Sequence, residues 1–132
     1  MRYLLDTNAC VDYLTGRFPA VTERIRESPP EDLCISSVVV AELRFGADRS
    51  SSRERNHQRL DVLTAEIACA DFDLAAAAAY GRVRAALEAR GTPIGANDML
   101  IAAQALALGL ILVSDNLREF QRVDGLVVES WR

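Results

Sequence analysis

The sequence contains no lysine: all 15 of its basic residues are arginine. It has one histidine, His57, and three cysteines, Cys10, Cys34 and Cys69. The cysteines are odd in number, widely spaced and without a C-x-x-C pair, which argues against a zinc site or a disulfide framework. Each has apolar neighbours, so all three are expected to be buried, reduced thiols. His57 lies in a polar helical stretch and no G-x-S-x-G is present, which argues against a Ser/His/Asp hydrolase. Neither GxxxxGK[ST] nor GxGxxG occurs, so a phosphate-cradling nucleotide site has no loop to form it. No apolar run reaches the length of a membrane span. The opening MRYLLDTN is too brief for a signal peptide, and a cytoplasmic protein is expected. The net charge of -4 excludes a molecule that is cationic as a whole and binds nucleic acid on that basis.

What remains is a chain of 132 residues, half of them hydrophobic, a size and composition that fit one domain with one core. Short continuous apolar runs predict strands at 2–6, 33–36, 66–70, 110–114 and 126–130. Helical periodicity predicts helices over 7–16, 20–28, 38–48, 50–66, 71–91 and from about 97 to 109. Thr7 or Asn8 is expected to cap the first, Ser36 or Ser37 the third and Asp73 the fifth. DNLREF, at 115–120, is expected to be a turn or a short helix. Unbroken apolar strands separated by helices predict an α/β fold, with a mostly parallel central sheet flanked by helices on both faces.

Four polar positions abut the apolar runs: Asp6, Glu42, Asp98 and the pair Asp115–Asn116. Taken singly, an Asp between a strand and a helix is ordinarily a cap, and a Glu in an opening helical turn is ordinarily a surface residue. A parallel sheet changes the weighing, because it brings its carboxyl-terminal strand ends to one edge, where ligands bind. Gathered there, the four would form an oxygen-only site suited to Mg2+ or Mn2+. Such a site could polarise a phosphoryl oxygen and activate water. Asp6 and Asp98 are the preferred direct ligands, Glu42 a ligand through water or a base, and either Asp115 or Asn116 the fourth group. Thr7, Asn8 and Ser114 could hydrogen-bond behind them. Receiver domains and haloacid-dehalogenase-like phosphatases also place an Asp after their first strand, but both use a lysine that this chain lacks. Two arginine clusters, one at Arg49, Arg53, Arg55 and Arg59 and one at Arg82, Arg84 and Arg90, read as solvated helix faces unless they flank the acidic site.

YLLDTN, SSVVVAEL-FGA, PIG-NDMLIAA, LILVSDNLREF and the closing ES-W, in this order from Leu4 to Trp131, resemble a PIN-domain protein. The likeness is strongest to the VapC-like toxins of bacterial type II toxin–antitoxin modules. It implies one PIN domain over 1–132, a PIN-like three-layer sandwich, and a Mg2+-dependent endoribonuclease acting on structured RNA such as tRNA. It implies a cognate antitoxin as partner, with DNA met only through that antitoxin. A homodimer or toxin–antitoxin hetero-oligomer is also implied. The family's acidic positions fall on Asp6, Glu42 and Asp98, and the fourth on Asn116, where some relatives carry Asp, or on Asp115. The alternatives within the same resemblance are an RNA-processing PIN nuclease and a weakened PIN domain that acts by binding only.

Overall fold

Five short apolar runs pair side by side, all in parallel, in the computed structural model, which describes Met1–Arg132. They are β1 (Tyr3–Leu5), β2 (Leu33–Ser36), β3 (Ala68–Ala70), β4 (Ile111–Val113) and β5 (Val128–Glu129), in the order β3-β2-β1-β4-β5. Every residue of β1 and β2 is buried. Successive strand residues point to opposite faces, so burial along the whole strand means both faces are covered. The covering helices are α1 (Thr7–Thr15), α2 (Pro19–Glu27), α3 (Ser37–Asp48), α4 (Arg53–Glu66), α5 (Leu74–Ala89), α6 (Ala96–Leu108) and α7 (Leu117–Phe120). Leu4, Leu5, Ile35, Leu112 and Phe120 anchor the core with no measurable exposure.

Register fixes where the polar residues emerge. Leu5 lies beside Ile35 on one side and Val113 on the other. The next residues, Asp6, Ser36 and Ser114, therefore leave three adjacent strands at the same edge, and the Asp6 amide still donates to Val113 O at 3.0 Å. Strand order reverses direction between β1 and β4, and a crevice at that switch point is the expected ligand position in a sheet of this kind.

Local chemistry sets the boundaries. Asp6, rather than the expected Thr7 or Asn8, caps α1: its side chain accepts from the Ala9 amide at 2.8 Å. The extended backbone of Asp6 suits a cap, while Thr7 is already helical. Ser36 caps α3 and Asp73 caps α5 as expected. β3 starts later than expected because Ile67 closes the last turn of α4, donating to Leu63 O. Cys10 and Cys34 are buried, but Cys69 is exposed, contrary to expectation. Apolar neighbours do not bury it, since β3 is an edge strand whose first two residues face solvent.

Candidate active site

Asp6 ends β1 and is almost fully buried. Burial pushes its carboxyl up to about 6, against the pull of the Ser114 hydroxyl and the Ala9 amide, and the charges of Asp115 and Asp98 push it further. Asp98 stands in the first turn of α6 and is also pushed up to about 6. Partial burial is the main cause there, followed by contact with Glu119 and the charges of Glu119 and Glu42. These couplings bring Asp6, Glu42 and Asp98 into one electrostatic cluster, although they lie on three elements far apart in the chain. Asp6 caps α1 and Asp98 lies in the first turn of α6, so each stands at the positive end of a helix.

Glu42 sits in the second turn of α3. Its Oε1 is buried and has no hydrogen-bond partner, and the same holds for Thr7 Oγ1. Buried oxygens without partners are costly and uncommon. Both residues line a cleft of about 400 Å³ between α1, α3 and α4, into which Arg59 also reaches. Ser114 is buried, and its hydroxyl accepts from the Asn116 amide at 3.0 Å. Asn8 is exposed and its amide lies 3.5 Å from Asp115 Oδ1.

The two candidates for the fourth position have different partners. Asp115 takes a 2.6 Å bond from Arg132 Nη1, while its charge still acts on Asp6. That guanidinium is held by both oxygens of buried Asp12, at 2.8 and 3.2 Å, and stacks 4.1 Å over the Phe18 ring. Asn116 faces the cluster, with Nδ2 3.5 Å from Asp98 Oδ2 and donating to Glu119 Oε2 at 3.0 Å. Glu119 thus supplies the carboxylate beside Asp98 that Asn116 lacks, and sequence reading missed it. The N-x-x-E spacing relates Glu119 to Asn116, at the third position and the cap of α7, but says nothing of Asp98.

Two carboxylates with raised proton affinity, Asp6 and Asp98, with one unpartnered Glu oxygen and an unpartnered hydroxyl, match the chemistry of a hard divalent cation. No three of the His, Cys, Asp and Glu side chains stand close enough to enclose an ion. His57 is held between Asp48 and Arg44. Arg53, Arg84 and Arg90 are paired with surface carboxylates, so the arginine clusters are chiefly solvated helix faces.

The family model described as PIN domain matches residues 3–126. The chain belongs to the PIN-domain family. Among relatives of this PIN-domain chain, the tRNA(fMet)-specific endonuclease VapC of Shigella flexneri is 40% identical, over 99% of this chain and 98% of the relative. Ribonuclease VapC2 of Rickettsia felis is 38% identical over the same shares. The crystal structure of DNA-bound VapBC from Salmonella typhimurium contains a chain that superposes with a TM-score of 0.95 at 36% identity, covering 100% of this chain and 99% of that one. VapBC2 of Rickettsia felis, bound to a DNA fragment from the promoter, gives 0.92 at 34% identity over 100% of both chains. The α/β fold expected from the sequence, with a parallel sheet, is therefore the PIN fold. No helix is long and apolar enough to cross a membrane.

Proposed function

We propose that this chain is a divalent-metal-dependent endoribonuclease, the toxin of a VapBC-type pair, acting in the cytoplasm as one PIN domain over residues 1–132. Full-length similarity to endonucleases and ribonucleases of the VapC kind supports the reading. The observation that carries it to this chain is the coupled cluster of Asp6, Glu42 and Asp98 at the carboxyl edge of the sheet. Asp6 and Asp98 would hold Mg2+ or Mn2+ directly, with Glu42 beside them. Asn116 and Glu119 would complete the site from α7. Bound there, the ion would neutralise charge on a phosphodiester and make water a better nucleophile at neutral pH.

The chain's own residues prepare that chemistry. The Ala9 amide fixes the Asp6 carboxylate, and burial makes its ionised form costly until a cation is present. Glu42 Oε1, free of protein partners, is available to accept a proton or to take a place beside the ion. Asn116 Nδ2 holds Glu119 against Asp98. RNA, probed as tRNA, is the proposed substrate, since the relative from Shigella is named for tRNA(fMet). A small antitoxin is the proposed partner, through which the pair would meet DNA. An antitoxin arginine entering the cluster would gain charge-assisted bonds that a cation would otherwise supply.

Binding without catalysis is the second reading, motivated by the neutral Asn116. Glu119 weakens it by restoring a carboxylate beside Asp98. Purified chain, incubated with pooled tRNA and rRNA in Mg2+ or Mn2+, separates the two. Discrete fragments lost with EDTA and with Asp98→Asn are expected. Intact RNA in every lane from folded protein would sink the nuclease reading and favour binding alone.

A further inference from the structure

Gln104 is a buried amide in a helix face otherwise built from Met99, Ile101, Ala102, Ala103 and Ala105. Its side chain is 1% exposed and makes three hydrogen bonds. Oε1 accepts from Ser36 Oγ at 2.5 Å, while Nε2 donates to Ala70 O at 3.0 Å and Asp71 O at 2.9 Å. Ser36 is itself the cap of α3, accepting from the Val38 amide at 3.0 Å. Next to it, Ser37 Oγ accepts from the Phe72 amide at 3.1 Å. One amide therefore ties together the middle of α6, the start of α3 and the end of β3. An apolar residue would pack here without needing partners, whereas an amide is stable here only with its bonds made. The bracket therefore fixes geometry more than it fills space.

The elements it joins carry the acidic cluster. Asp98 lies six positions before Gln104 on α6, and Glu42 six positions after Ser36 on α3. We infer that Gln104 and Ser36 form a positioning pair that sets the register of α6 against α3, and through it the separation of Asp98 and Glu42. The inference rests on the metal-dependent reading of the site. Neither residue is catalytic: Gln104 touches β3 and the α3 cap, and acts on the cation only through the helices that bear its ligands. Groups behind metal ligands commonly change affinity by roughly 10- to 100-fold when removed.

The test is Mn2+ binding to the full chain, followed by electron paramagnetic resonance of free Mn2+, beside thermal unfolding in EDTA. Gln104→Met keeps length and apolar bulk and removes all three bonds. Ser36→Ala removes the central bond from the other side, together with the α3 cap bond to the Val38 amide, and serves if the first variant folds poorly. Val21→Ala, in the buried face of α2, is the control for general destabilisation. Expected are a rise in the Mn2+ dissociation constant of about 10-fold for either bracket variant, no change for Val21→Ala, and a double variant no weaker than the worse single one. That non-additivity marks a shared unit. Bracket variants with wild-type affinity, or a Val21→Ala loss of equal size, would overturn the inference while leaving the metal site standing. No Mn2+ uptake by the wild-type chain would bring down the metal reading and this inference with it.

Discussion

Asp6 and Asp98 are held near pH 6, above their ordinary value of 3.8, so the folded chain binds protons more readily than the unfolded one. Without a cation, these two groups cost nothing below about pH 4, and the full penalty is present above about pH 6. For buried Asp6 alone the penalty is about 3 kcal/mol. Mg2+ should therefore raise the melting temperature more at neutral pH than near pH 5, where protons compete for the same oxygens. Differential scanning fluorimetry across that window checks it, and an equal shift at both pH values would contradict it. Asp6→Asn keeps an oxygen for the Ala9 amide and removes the charge. It should melt higher than wild type in EDTA and lose at least about 100-fold in RNA cleavage, in line with removal of a group that stabilises the transition state. The fourth position gives a sharper comparison. Glu119→Gln is expected to reduce cleavage about 10-fold or more, whereas Asp115→Asn should chiefly loosen its contact with Arg132, at under about 1 kcal/mol. The reverse order of the two rates would make Asp115, and not Glu119, the fourth acidic group.

At the scale of elements, the strand-to-helix joints both begin the helices and aim the carboxylates. Asp6 was legible as a polar stop to an apolar run, and it is both the cap of α1 and a member of the acidic cluster. The burial of β1 and β2 followed from their unbroken apolar sequence. The exposure of Cys69 did not, since AC-A reads alike on a central and an edge strand. α6 ends at Gly109, whose φ of 67° lies in the left-handed region. Gly109→Ala should cost about 1–2 kcal/mol there, lowering the melting temperature while leaving the Mg2+ dependence of cleavage unchanged. A change in that dependence would mean that the α6–β4 turn reaches the site.

Across the whole molecule, charge limits how RNA can be held. The net charge is -4, and Arg24, Arg44, Arg53, Arg84, Arg90 and Arg132 are engaged with carboxylates. Nine arginines are free of carboxylates, but of these only Arg59 lines the cleft beside Glu42. RNA binding by Asp98→Asn should therefore fall with salt on a log–log slope no steeper than about -3, the mark of a few phosphate contacts. A much steeper slope, measured by fluorescence anisotropy, would reveal a broad basic track instead.

The order of short apolar runs and helical stretches pointed to a mostly parallel sheet, and the residues that abut those runs marked Asp6, Glu42 and Asp98. Those are local properties, set by hydrophobic patterning and by where a strand must meet solvent. The different partners of Asp115 and Asn116 were not local. Asp115 meets the Arg132 guanidinium that buried Asp12 holds, while Asn116 lies beside Asp98. Nor was the place of Glu119 local, since it became a neighbour of Asp98 only when α7 packed beside the start of α6. Tertiary structure decided both, because adjacent residues in a tight turn diverge in direction and the partner that holds each one comes from elsewhere in the chain.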